Sequence, residues 1–236
     1  MYTKSAQWYD LLHANKNYAA ESAKITSTIQ RFTVEATDLL DVACGTGGHL
    51  RYLREQFDCH GIDIDAGLLD IAREQLPDVG FTEADMTEFD LGRQFDAVTC
   101  LFSAIGYLRT NENLALALRR MAAHLRVGGV LVVEPWILPD KWDAWLAEVG
   151  NYHVEQHGEL TVGRFQATQR TGTMTELLFH YLATDGKQLV CADERHAVRM
   201  FTVDELLDAA EMAGLAAEWD PIGIGRGLLI GVRLSG

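Results

Sequence analysis

Residues 38–50, Asp-Leu-Leu-Asp-Val-Ala-Cys-Gly-Thr-Gly-Gly-His-Leu, restrict what this chain can fold into more than any other stretch. Leu39, Leu40, Val42 and Ala43 form a short apolar run of the kind found in a strand covered on both faces. Gly45, Gly47 and Gly48 follow almost at once. Leu50, Leu53 and Phe57 then recur at helical spacing, which predicts a helix over 49–57. Strand, glycine turn and helix in succession let a backbone approach a bound nucleotide with no side chains in the way. A second apolar run ends at Asp63, where a carboxylate can accept hydrogen bonds from both hydroxyls of an adenosine ribose. A dinucleotide enzyme would show Gly-x-Gly-x-x-Gly; Gly45-Thr46-Gly47-Gly48 departs from it, so a nicotinamide or flavin reading is the weaker one.

The alternation continues to residue 136. It predicts strands at 58–64, 79–84, 95–102 and 130–134, and helices at 68–76, stopped by Pro77, and 111–125, capped by Val127-Gly128-Gly129. Ahead of it, 2–31 read as one or two helices. From 137 the pattern changes: a short helix carries Trp142 and Trp145, and 152–200 become strand-like. Turn signals at His157-Gly158, Thr171-Gly172 and Asp185-Gly186 predict three or four antiparallel strands, a small sheet inserted into the main fold. Such an insertion can carry a substrate surface, a dimer contact or both. A helix over 201–213 begins in a capping box of Thr202 and Glu205. Strands at 215–219 and 228–232 then close the sheet as an antiparallel hairpin at one edge. The expected organisation is an α/β protein with lid helices and a nucleotide-binding core in 1–136, the β insertion in 137–200, and a return to the core sheet in 201–236.

With 34 acidic and 20 basic residues the net charge is −14, which argues against nucleic acid and against an anionic membrane surface as partners. A small anion could still meet one local arginine. Arg226, between Gly225 and Gly227, presents a planar fork suited to phosphate or carboxylate; the alternative is an exposed turn arginine. Cys44, Cys59, Cys100 and Cys191 lack Cys-x-x-Cys spacing and lie within or beside apolar runs, as reduced core thiols do, so no zinc site is expected. No apolar run approaches the roughly 18 residues that span a bilayer, and 1–10 lack the apolar stretch of a signal peptide, so the expectation is a cytoplasmic protein.

Asp41-Val42-Ala43-Cys44-Gly45-Thr46-Gly47 resembles the first motif of class I S-adenosylmethionine (SAM) dependent methyltransferases, with Ala43 where the first glycine usually stands. The resemblance implies a Rossmann-like, doubly wound seven-stranded sheet, SAM as cofactor and S-adenosylhomocysteine (SAH) as product. It implies a cofactor site built from Asp41, Ala43, Gly45, Thr46, Gly47, Asp63, Ile64 and Leu101, with Asp85 at the adenine amino group and Met86 on the ring. An N-terminal helical lid would bring Tyr9 and Tyr18 over the cofactor.

Further segments, Trp8-Tyr9-Asp10-Leu11-Leu12, Phe102 to Leu108, Val133-Glu134-Pro135-Trp136 and Gly225-Arg226-Gly227-Leu228, resemble the N-methyltransferases that dimethylate nucleotide-linked 3-amino-deoxysugars. Two departures fall where the substrate is expected. Ile137 and Leu138 replace a Trp-Phe pair, and Gly223-Ile224 replace Pro-Ser. The resemblance implies a nucleotide-sugar substrate and a homodimer. Methyl transfer from a sulfonium needs an aligned, unprotonated nucleophile and exclusion of water, and an amine needs neither metal nor strong base. On this reading Tyr107 and Tyr9 flank the amine as catalytic residues, and Trp136, Ser103 and Arg226 hold the substrate. The alternatives are SAM-dependent methylation of another small acceptor (a free amine, hydroxyl or carboxylate) and a non-catalytic SAM-binding protein. A nucleic-acid methyltransferase would want a basic face and an Asn/Asp-Pro-Pro-Tyr/Phe segment where Ser103-Ala104-Ile105-Gly106 stand.

Overall fold

The computed structural model describes residues 5–235; the outer parts of the expected regions, 1–4 and 236, lie outside the described residues. Strands β1 (Asp38–Val42), β2 (Asp58–Asp63), β3 (Gly80–Glu83), β4 (Phe95–Cys100) and β5 (Leu125–Val133) run parallel; β10 (Leu215–Asp220) and β11 (Leu228–Arg233) complete a seven-stranded sheet. Its order is β10-β11-β5-β4-β1-β2-β3; β11 pairs antiparallel with both β5 and β10, so the edge strand β10 runs in the direction of β1 to β5. Chain direction across the sheet reverses between β1 and β4, the place where open α/β sheets bind ligands outside the strand ends.

Period-two alternation divides each central strand between two cores. Leu40, Val42, Val98, Cys100, Leu131 and Val133 face α5 (Asn111–Ala123) and α7 (Val203–Met212). Leu39, Ala97, Val130 and Val132 face α2 (Tyr18–Phe32), through Ile25 and Ile29, and α4 (Ala66–Gln75), through Leu69. The Thr202–Glu205 capping box forms as expected. The remaining strands, β6 (Tyr152–His157), β7 (Leu160–Thr171), β8 (Met174–Thr184) and β9 (Leu189–Arg199), make a separate antiparallel meander. One face of it, with Val162, Leu177, Phe179, Tyr181 and Val198, buries Trp8 and Leu12 of the N-terminal segment, where α1 spans Tyr9–Leu12. The short α6 (Trp142–Glu148) joins the two sheets.

Three local expectations are corrected. The helix over 49–57 contracts to α3 (Leu50–Leu53); three-residue turns carry the chain to β2 while Leu50, Leu53 and Phe57 still reach the core. Val127-Gly128-Gly129 do not cap α5 but lie inside β5. The helix stops at His124, whose Nδ1 donates to the Arg120 carbonyl and whose Nε2 accepts from Leu91 N–H at 2.9 Å. Register against β4 jumps from Phe95–Leu125 to Ala97–Val130, so those glycines form a bulge, with Gly128 at φ +81°. Third, β4 ends at Cys100 rather than 102, because Phe102 and Ser103 turn into left-handed backbone at φ 52° and 68°. The buried Glu134 carboxylate accepts the Phe102 N–H at 2.6 Å and fixes that turn.

Candidate active site

The glycine loop is tied to the end of β2 by its own backbone. Cys44 N–H donates to the Ile62 carbonyl at 2.9 Å, and Gly45 N–H to Asp63 Oδ2 at 2.8 Å, while Asp63 Oδ1 accepts Asp65 N–H at 2.9 Å. Ala43 and Gly45 adopt φ near +59° and +57°. A Cβ at Gly45 would meet no protein atom within 4 Å and would project into open space, so this glycine keeps room for a ligand. Burial raises the Asp63 carboxyl above its ordinary range, against the two backbone bonds.

That space is the near end of a cavity of about 380 Å³ that runs from the loop to the meander sheet. Of the residues expected at the cofactor, Ala43, Gly45, Asp63, Ile64, Asp85, Met86 and Leu101 line it. Asp41, Thr46, Gly47 and Tyr18 do not. Asp41 lies beneath the loop, accepts from Thr99 Oγ1 at 2.7 Å, and is pushed up to about 7, chiefly by burial and further by Asp63. The Thr46 hydroxyl donates to Asp10 Oδ1 at 2.6 Å and latches α1 onto the loop. Gly47, at φ +80°, passes over Leu76, where a Cβ would sit 2.7 Å from Cδ1. The Tyr18 ring fills the space over Gly48 and meets His49 edge-on at 4.9 Å, so of the two expected lid tyrosines only Tyr9 reaches the cavity.

The far end gathers Tyr9, Tyr107, Ser103, Trp136 and Arg226, all expected at the substrate. Arg226 is no exposed turn residue: it donates to Ser103 Oγ and stacks over the Trp136 ring at 4.9 Å. Its charge also faces Glu134, whose carboxyl is raised by burial and partly restrained by Arg226.

The sequence reading missed four residues here: His13, Trp145, Arg164 and Phe179. His13 Nδ1 lies 2.8 Å from the Tyr9 carbonyl, which can only accept, so Nδ1 carries the proton and Nε2 is an acceptor. Burial, with Arg164 and Lys16, lowers His13 to about 4 despite that bond, leaving it neutral near pH 7. Arg164 stacks on Phe179 at 4.7 Å, and its buried Nε has no hydrogen-bond partner among the described residues; the same holds for Trp136 Nε1. Both residues line the cavity, and a buried donor without a partner calls for an acceptor. The one signal for Arg164 in the sequence is its place after Leu160 and Val162 on one face of β7, where the apolar alternation gives way to a cation.

Residues 39–129 match the family model described as a methyltransferase domain. Over 232 residues the chain is 40% identical to the dTDP-3-amino-3,6-dideoxy-α-D-glucopyranose N,N-dimethyltransferase of Streptomyces fradiae, covering 96% of this chain and 90% of that protein. It is 35% identical to the dTDP-4-amino-2,3,4,6-tetradeoxy-D-glucose N,N-dimethyltransferase of Saccharopolyspora spinosa, over 97% and 92% of the two chains. Among solved structures it matches Streptomyces venezuelae DesVI with TM-score 0.87 and 38% identity over 97% and 98% of the chains. SAM-bound CalS10, an amino pentose methyltransferase from Micromonospora echinaspora, matches with TM-score 0.80 and 33% identity over 93% of each. Strand order, glycine loop and cavity are those of a SAM-dependent enzyme with the class I methyltransferase fold. The chain belongs to the methyltransferase family that includes these amino-sugar N,N-dimethyltransferases.

Proposed function

We propose that the protein methylates the amine of a dTDP-linked amino-deoxysugar. The observation that carries this is the continuity of the cavity: it joins a ribose-binding carboxylate, Asp63, to a wall with two arginines, Arg164 and Arg226, through a throat of Tyr9, His13, Phe102 and Tyr107. When bound, SAM supplies an electrophilic methyl group on a sulfonium. Asp63 receives the ribose hydroxyls, Asp85 and Met86 the adenine, and Ala43 and Gly45 leave the backbone open to the methionine part. Asp41 and Thr46 act from beneath, holding β4 and the lid helix against the loop. Arg164 and Arg226 take the substrate diphosphate, whose charge also removes the repulsion Arg164 exerts on His13. The His13 Nε2 and the tyrosine hydroxyls then hold the amine hydrogens and aim its lone pair, while Trp136, Trp145 and Phe102 keep water away.

Two finer readings accompany this one. Tyr152, Val154, Phe165, Leu189 and Val190 leave apolar side chains exposed on the meander, which supports a homodimer through that sheet. Buried free thiols at Cys44, Cys59 and Cys100 support the cytoplasm as the compartment. The test of function is mass spectrometry after incubation with SAM and dTDP-linked 3-amino- or 4-amino-deoxyhexoses. One or two added methyl masses on one sugar are expected; SAM binding by calorimetry with no product from any amino sugar would point to another acceptor.

A further inference from the structure

Methylating an amine twice raises a problem of protons. The acceptor enters largely as an ammonium, and each transfer leaves the nitrogen cationic again, so a proton has to leave before each attack. Tyr107 lines the cavity, and its hydroxyl lies 2.9 Å from His196 Nδ1. His196 is 1% exposed, and its Nε2 stands 3.5 Å from Glu194 Oε2. The Glu194 side chain is 5% exposed, and Ser5 donates to both oxygens, N–H to Oε1 at 3.1 Å and Oγ to Oε2 at 2.8 Å. Phe179 packs on the imidazole at 5.1 Å and carries Arg164 on its ring. Among the described residues, the titratable or charged groups drawn up to His196 are Tyr107 from the turn after β4, Glu194 from β9, and Arg164 from β7 beyond Phe179.

The hydrogen-bond directions follow from the chemistry of these groups. At 3.5 Å Nε2 is not hydrogen-bonded to Glu194, but the nearby carboxylate favours the tautomer with hydrogen on Nε2, and Nδ1 is then the acceptor to which the Tyr107 O–H donates. With its hydrogen given to Nδ1, the phenol oxygen acts toward the cavity as an acceptor. We propose that Tyr107, His196 and Glu194 form a proton relay that deprotonates the acceptor amine before the first methyl transfer and again before the second. It rests on the amino-sugar reading above.

The ammonium N–H proton passes to the Tyr107 oxygen as the Tyr107 O–H proton passes to His196 Nδ1. The N–H electron pair stays on nitrogen as the nucleophilic lone pair, and the imidazolium is held against the Glu194 carboxylate. Between rounds, while the cofactor is exchanged and the cavity admits water, the imidazolium returns its proton by the same route. Tyr107 is the catalytic residue; His196 and Glu194 act through it.

His196→Asn separates this role from packing, because the amide Oδ1 can stand where Nδ1 does and accept from Tyr107 but cannot take up the proton. The expected result is a kcat about 100-fold lower, with the KM for the dTDP-amino sugar and the Kd for SAM within about twofold. The deficit shrinks as pH rises, since more acceptor arrives as free base, and monomethyl product accumulates. A deficit independent of pH with an unchanged ratio of mono- to dimethyl product overturns the relay. Independently of any variant, ¹⁵N-histidine NMR of the parent protein with SAH should show His196 converting from neutral imidazole to imidazolium when the dTDP-amino sugar is added. An imidazole that stays neutral there overturns it as well. If the parent makes no N-methylated product from any amino sugar, the functional reading fails, and the relay with it.

Discussion

Replacing Asp63 with Asn isolates the proposed ribose contact from the fold. A carboxylate offers about four acceptor positions. Gly45 N–H and Asp65 N–H use one on each oxygen, at 2.8 and 2.9 Å, leaving one apiece for the two ribose hydroxyls. An Asn amide keeps a single acceptor oxygen. Its NH₂ group has to face one of the two backbone N–H donors and offers hydrogens where one hydroxyl needs an acceptor. A hydrogen bond to a charged group contributes about 1.5–3 kcal/mol. Losing one outright, and the charge on the other, weakens binding by about 2–4 kcal/mol, or about 30- to 1,000-fold in Kd. The unliganded protein changes less. Burial already raises Asp63, so the neutral amide relieves a desolvation cost while giving up one backbone bond. Calorimetry should therefore show SAM and SAH weakened by the same factor, because the ribose is common to both, with a melting temperature close to the parent's. A Kd for SAM within about threefold of the parent would refute the assignment of Asp63, and so would SAM weakened with SAH unaffected.

Gly106→Ala places a Cβ onto Val198 Cγ1 and 3.1 Å from Trp136 Cβ; overpacking there should cost about 1–3 kcal/mol, read as a lower melting temperature, and should lower kcat by displacing the neighbouring Tyr107. Arg164→Ala should raise the KM for the dTDP-sugar about 10-fold or more in steady-state kinetics while leaving SAM affinity unchanged. Asp41→Asn tests a linkage whose sign is fixed by burial. The native carboxyl sits at about 7 against an ordinary value of 3.8, so the folded state holds a proton that the unfolded chain has released, and stability falls as pH rises between those values. Differential scanning fluorimetry should show the variant melting above the parent at about pH 8, with the difference gone near pH 4.

Much of the fold is legible because it is written locally. The apolar run before the glycines, the Thr202–Glu205 box and the turn pairs of the meander each state a local structure within a few residues, and each forms. The errors arise where a tertiary contact overrides a local pattern. Gly128 and Gly129 resemble a helix stop, but the His124 bonds end the helix earlier and strand pairing claims the glycines. The 95–102 run reads as strand to its end, but the Glu134 carboxylate captures Phe102 N–H and turns the chain.

The loop end of the cavity was legible for the same reason: the glycine loop and Asp63 come from two adjacent strands in one short stretch. The far end was legible only in part: Tyr9, Tyr107, Ser103, Trp136 and Arg226 were expected there, whereas His13, Trp145, Arg164 and Phe179 were not, because that end forms only where the two sheets meet. Tyr107 and His196 are 89 residues apart, Ser103 and Arg226 are 123, and Ser5 and Glu194 are 189. Nothing in the neighbourhood of His196 marks it; on β9 it is one more inward position between Glu194 and Val198. A histidine becomes chemically distinctive when a phenol is brought to one ring nitrogen and a carboxylate to the other, and here the inserted meander does that. Acceptor chemistry in this chain is therefore expected to change with substitutions in β7 to β9 that leave SAM affinity untouched, and cofactor affinity with substitutions around Asp63 that leave the acceptor unchanged.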